Sequence, residues 1–141
     1  MDRDRIIGRL DDLGLYLREL REVTPATLDE YKRVAVRRAC ERLLQIAVEA
    51  ALDVCAMLVA DLRLGVPGEE DDLFEKLQAA GVLSADLTAR LRRMKGFRNI
   101  LVHEYARVND EKVFAILQSG PADFETFTQQ VLRTLRESPD K

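Results

Sequence analysis

The chain has 141 residues, of which 47% are hydrophobic and 33% charged, with only seven Gly and four Pro. This composition excludes a collagen-like, low-complexity or disordered chain, favours helix and leaves room for one buried core, so residues 1–141 are read as a single domain. Lys and Arg number 22 against 25 Asp and Glu, a net charge of -3, which excludes a globally basic nucleic-acid coat and requires any RNA site to be a local patch.

Residues 2–22 carry Ile6, Leu10, Leu13 and Leu17 at steps of three and four, the apolar stripe of a surface helix. The charged N-terminus has no apolar run behind it, so no signal peptide is expected and the protein is read as cytoplasmic. Thr24-Pro25 and Thr27 with Glu30 are two competing start signals for a second helix. From there to about residue 63 no Gly or Pro intervenes, which predicts one long helix, apolar on nearly every side after Arg38, at the centre of a bundle. Its most apolar stretch, 43–62, contains Glu49, Asp53 and Asp61, so it is read as a core helix and not a membrane span. Cys40 and Cys55 both fall in it, roughly 22 Å apart at the helical rise, too far to pair; they are read as small buried hydrophobes.

Gly65 to Gly68 break the chain, and the acidic run 69–72 suits the first turn of a short helix to about residue 80, as a solvated cap and not a metal site. Gly81 fits a helix C′ position and Ser84 an N-cap, and Leu87, Leu91, Met94, Phe97 and Leu101 trace a helix to about residue 105. Asn109-Asp110 start a short helix through Leu117, and Gly120-Pro121 are read as separating it from a last amphipathic helix bearing Phe124, Phe127, Val131, Leu132 and Leu135. With no strand pattern, the fold is expected to be all-α, an up-and-down bundle of four core helices with one or two short ones. His103 is the only histidine, which removes a Cys/His zinc site; no metal or cofactor is expected.

The informative stretch is 94–105. Arg98 lies among Leu87, Leu91, Met94, Leu101 and Val102 on the apolar face of its helix, where a guanidinium requires partners. Glu41, Gln45, Glu49 and Asp53, recurring every four residues on the long helix, are the expected ones, forming a polar pocket inside the bundle. A plain buried salt bridge of Arg98 with Glu49 or Asp53 is the competing reading. His103 sits roughly 140° round the helix from Arg98, on a second face with Gly96, Asn99 and Ile100. That face is read as an interface, most simply with a twofold copy of the same helix. Arg90, Arg92, Arg93, Lys95 and Arg98 stand against a single Asp86, either a local RNA-binding patch or a solvated helix face.

Arg98, Asn99, His103 and Tyr105, in a Gly-Phe-Arg-Asn-x-Leu-Val-His-x-Tyr context, resemble the R-x4-H-x-Y motif of HepT-like toxins in the HEPN superfamily. The resemblance extends to residues 41–45 with Asp53 and to 108–117. It implies a HEPN-like fold, a metal-independent endoribonuclease, a homodimer, and a cognate MntA-type minimal nucleotidyltransferase antitoxin that transfers AMP from ATP onto the motif tyrosine, here Tyr105. The chemistry suits the residues: His103 as acid or base, Arg98 as a bidentate phosphate clamp and Asn99 as an orienting group would give a 2′,3′-cyclic phosphate product. A non-catalytic subunit that binds substrate for a nucleotidyltransferase, and an assembly bundle whose polar stripe only sets helix register, are the alternatives. His103→Ala separates them, since only the enzyme would lose RNA cleavage.

Overall fold

The computed structural model describes residues 1–103 and 108–138. Six helices occupy them: α1 (Arg3–Val23), α2 (Leu28–Tyr31), α3 (Val34–Asp61), α4 (Glu70–Ala79), α5 (Ala85–His103) and α6 (Asp110–Glu137). No strand occurs among the described residues. The fold is the expected all-α bundle.

Local signals set most boundaries. Asp2 accepts the Arg5 N–H at the start of α1, and Ile6, Leu10, Leu13, Leu17 and Leu20 form its buried stripe. Asp72 reaches back to the Gly68 and Glu69 N–H groups at 2.8 and 3.1 Å and so fastens the start of α4. Those two donors hold the Asp72 carboxyl below the usual carboxylate range. Gly81, at φ +77, closes the end of α4 in a left-handed conformation. Ser84 Oγ then accepts the Leu87 N–H at 3.3 Å to open α5.

Two boundaries depart from expectation. The long helix predicted from residue 24 or 27 is divided, with α2 capped by Thr27 and extended backbone at Arg33 ahead of α3. No Gly or Pro forces this break. It lets Tyr31 turn fully into the core, where its ring meets Phe114 of α6 at 5.9 Å between centroids. Conversely, the two helices expected on either side of Gly120-Pro121 are one, α6, with Pro121 inside it. Val113, Leu117, Gly120, Phe124, Phe127, Val131 and Leu135 form a single buried stripe across the proline. A helical proline costs about 3 kcal/mol through its missing N–H and ring clash, and burial of the stripe on both sides outweighs that. Gly120 is buried on the same stripe, where a Cβ would make ordinary contact with the Met94 sulfur of α5 at 3.6 Å.

The core runs through all six helices, from Ile6 to Leu135. α3 lies at its centre, buried along Cys40, Leu44, Ala47, Val48, Ala51, Val54, Cys55, Leu58 and Val59. It is long and apolar enough to cross a bilayer by length and composition, and more than half of that apolar stretch is covered by the other helices. Both cysteines are buried and unpaired with each other.

Two measurements test this packing. Phe124 is fully buried, so Phe124→Ala is expected to lower the urea unfolding free energy by about 3–5 kcal/mol. Because the Asp72 carboxyl titrates lower in the folded chain than in the unfolded one, its contribution is present above the ordinary carboxylate range and fades as pH falls through the lowered value. Asp72→Asn should therefore lower the melting temperature at pH 7 and converge with the parent in strong acid.

Candidate functional site

The residues singled out by the sequence lie on α5, and the structure shows what each one meets. Arg92, Lys95 and Arg98 recur every three residues along one side of α5 and face the acidic side of α4. Arg92 pairs with Glu75 at 3.2 Å, Lys95 with Asp71 at 2.7 Å and Arg98 with Glu70 at 2.6 Å. Numbers rise along α5 as they fall along α4, so the two helices are antiparallel and tied by a ladder of three ion pairs.

This ladder corrects the expected surroundings of Arg98. The side chain is largely buried, at 13% exposure, as its place on the apolar face requires. Its carboxylate partner, however, comes from α4 and not from the polar stripe of α3. Asp53 instead pairs with Arg9 of α1 at 2.9 Å and is half exposed. Glu49 accepts a hydrogen bond from Gln45 at 3.4 Å, and Glu41 pairs with Arg38 at 3.2 Å. The reason is geometric: steps of four advance about 40° beyond a full helical turn, so the stripe drifts round α3 and delivers Asp53 to α1. Neither a polar pocket joining Arg98 to α3 nor a simple bridge to Glu49 or Asp53 is formed.

The Arg98 guanidinium is only partly satisfied, since its Nε is buried without a hydrogen-bond acceptor among the described residues. Asn99 and Ile100 are half-buried on the next face, and His103 is exposed at the end of α5 with no hydrogen bond or ion pair among the described residues. A Cβ built on Gly96 would meet nothing within 4 Å, so this face is open in a single chain. Tyr105 lies outside the described residues.

The basic patch is likewise redistributed. Arg92 and Lys95 belong to the ladder, and Arg90 pairs with Asp123 of α6 at 3.2 Å. Arg93 is exposed and has no acidic partner among the described residues. The acidic run 69–72, read as a solvated cap, does double duty: Asp72 caps α4 while Glu70 and Asp71 hold α5. Sequence reasoning missed Glu70, Asp71 and Glu75 as neighbours of the site. The signal was present as acids on one side of a short helix, a tight Gly81 turn, and bases at three-residue spacing on the next.

A model of the ribonuclease HepT-like family matches residues 13–131. The chain belongs to the ribonuclease HepT-like family. Among relatives, a protein named tRNA nuclease HepT from Aphanizomenon flos-aquae is 29% identical over 136 residues, covering 94% of this chain and 92% of the relative. A Shewanella oneidensis protein named mRNA nuclease HepT is 33% identical over 84 residues, 60% of this chain and 63% of that one. In three dimensions this HepT-like chain superposes with a TM-score of 0.88 on a tri-AMPylated HEPN toxin of Shewanella oneidensis solved in complex with MNT antitoxin. The two are 24% identical, and the match covers 93% of this chain and 98% of the other. A cytosolic protein of unknown function, YutE of Bacillus subtilis, matches with a TM-score of 0.82 at 18% identity over 100% of this chain and 96% of that one. The HEPN fold expected from the motif is thus the fold found.

The Arg98–Glu70 contact joins a largely buried guanidinium to a carboxylate that is 47% exposed. Pairs of this kind couple weakly because solvent screens the exposed partner. A double-mutant cycle with Arg98→Met and Glu70→Gln, read by urea unfolding, is expected to give a coupling of about 1 kcal/mol or less. A coupling several times larger would mean that Glu70 is a fixed structural partner that no substrate phosphate could displace.

Proposed function

We propose that this protein is the toxin of a HepT/MntA-type toxin–antitoxin pair and a metal-independent endoribonuclease acting through Arg98, Asn99 and His103. The observation that carries the reading is one arrangement. A half-satisfied guanidinium and an open imidazole lie five residues apart at the end of α5, in a chain of the ribonuclease HepT-like family. The near-full-length similarity to a tRNA nuclease and the shorter one to an mRNA nuclease support RNA as the substrate class.

The chemistry asks little of the chain. A phosphodiester bound at Arg98 replaces the single Glu70 contact with a bidentate one, and the buried Nε gains the acceptor it lacks. His103 takes the proton from the adjacent 2′-hydroxyl, the 2′-oxygen attacks phosphorus and the bond to the 5′-oxygen breaks as that oxygen takes a proton from solvent, leaving a 2′,3′-cyclic phosphate and a 5′-hydroxyl. Arg98 stabilises the charge that builds on the phosphorane-like transition state, and Asn99 orients a phosphate oxygen. Because Arg98 and His103 point from different faces of α5, a complete site uses the open Gly96–Asn99–Ile100–His103 face against a second copy of the chain, which makes the functional unit a homodimer.

Silencing by a nucleotidyltransferase antitoxin is what the resemblance to HepT-like toxins implies. AMP transferred to the Tyr105 hydroxyl would add bulk and negative charge two residues beyond His103, opposing a phosphate by both sterics and repulsion. The Shewanella toxin solved in complex with MNT antitoxin is tri-AMPylated, which supports the pairing.

The test is cleavage of bulk cellular RNA in EDTA by the parent protein beside Arg98→Ala and His103→Ala, with folding matched by circular dichroism. The parent is expected to leave 2′,3′-cyclic phosphate ends, and each variant to lose at least about 100-fold in rate. The mass of the Tyr105 peptide, taken before and after incubation with a minimal nucleotidyltransferase and ATP, should rise by one AMP as cleavage stops. Folded variants that cut as fast as the parent would remove both residues from the mechanism.

A further inference from the structure

Four of the five cations on α5 are neutralised within the chain: Arg90 by Asp123, Arg92 by Glu75, Lys95 by Asp71 and Arg98 by Glu70. The fifth, Arg93, points the other way, into a groove between α5 and α6 of about 430 Å³. Lys112, in the first turn of α6, lines the same groove and is also exposed without an acidic partner among the described residues. Counting Arg90, three cations face the one carboxylate of Asp123, which Arg90 already occupies.

The floor of the groove is apolar. Phe97 and Met94 of α5 form one side, and Ala115, Ile116 and Gly120 of α6 the other. Phe97 is only partly buried, so part of its ring remains available. A partly exposed aromatic ring with unpaired cations beside it is the combination that holds a nucleotide of a single strand, the base stacking on the ring and the phosphate meeting the cations. Volume agrees, since grooves of a few hundred Å³ accommodate ligands of nucleotide size. Arg93 precedes Arg98 by five residues, about 7.5 Å along the helix axis and roughly 140° round it, and Phe97 lies between the two in angle. A strand whose scissile phosphate meets Arg98 must cross α5 at Phe97 to lay an adjoining nucleotide in the groove.

We infer that the Arg93–Lys112 groove is a subsite for a nucleotide flanking the cleaved bond in single-stranded RNA, with Phe97 as the stacking platform. This rests on the ribonuclease reading of Arg98 and His103 and adds the surface that positions the strand.

The experiment measures binding of a 5′-fluorescein-labelled decamer of riboadenosine to the His103→Ala protein, by fluorescence anisotropy at several salt concentrations. The same background then carries Arg93→Gln with Lys112→Gln, or Phe97→Leu. Removing both cations is expected to weaken binding about tenfold or more at low salt and to shrink the slope of log K against log salt by about 1.4, at roughly 0.7 per single-strand phosphate contact. Phe97→Leu keeps apolar volume but removes the ring, and should weaken binding about fivefold with the slope unchanged.

If Arg93→Gln with Lys112→Gln binds the decamer as tightly and with the same slope, while the parent protein cuts RNA and Arg98→Ala does not, the groove proposal falls and the ribonuclease reading stands. If the parent neither cuts RNA nor, as His103→Ala, binds the decamer, both fall together. A shift in sedimentation of the double variant with RNA affinity unchanged would make the groove a protein interface and overturn the subsite.

Discussion

Burial of α3 is the constraint on which the rest of the structure depends. A helix of 28 residues that is apolar along most of its length must have most of its surface covered, and each of the other five helices packs against it, leaving a strip at Asp53, Ala56 and Ala60 exposed. The consequence reaches the candidate site directly. α4 and α5 must both lie on α3, and the turn through Gly81 makes them antiparallel, so their facing edges meet residue by residue. The site's electrostatics thus follow from a packing requirement made several turns away.

Where those edges meet, opposite charges match in three rungs. The arrangement resolves a conflict built into α5, which carries Arg98 among Leu87, Leu91, Met94 and Leu101. The arginine stem lies along apolar surface and the guanidinium reaches the rim, a division of one side chain between two environments. Glu70 neutralises it while staying about half exposed, so the pair sits at the rim of the bundle and not in its interior.

The same frame separates two surfaces of α5. One, bearing Lys95 and Arg98, is committed to α4. The other, bearing Arg93 and Phe97, faces a groove lined on its far side by α6. Pro121, which in isolation reads as a helix stop, sits inside α6, and the unbroken helix carries Lys112 and Asp123 to the two ends of that groove. An apparent breaker is therefore part of what shapes the surface.

Much of this was legible in the chain itself. The stripes of α1 and α5, the apolar length of α3, the caps at Thr27 and Ser84, the helix start at Asn109, and the Arg98-to-Tyr105 motif are local patterns. Periodicity and capping chemistry act within a few residues, so one sequence suffices to read them. Tertiary structure decided whatever depended on a competitor elsewhere. Tyr31 divides the long helix because the core against Phe114 is a better place for its ring than a helix surface. Pro121 fails to divide α6 because apolar burial on both sides exceeds the loss of one hydrogen bond. Arg98 takes Glu70 and not Asp53 because the orientation of neighbouring helices, invisible in spacing along one helix, determines which carboxylate arrives. The sequence by itself determined most of the helices and the candidate residues of the site; only packing determined which charges meet and which remain free, because that choice is made by distance in space between residues far apart in the chain.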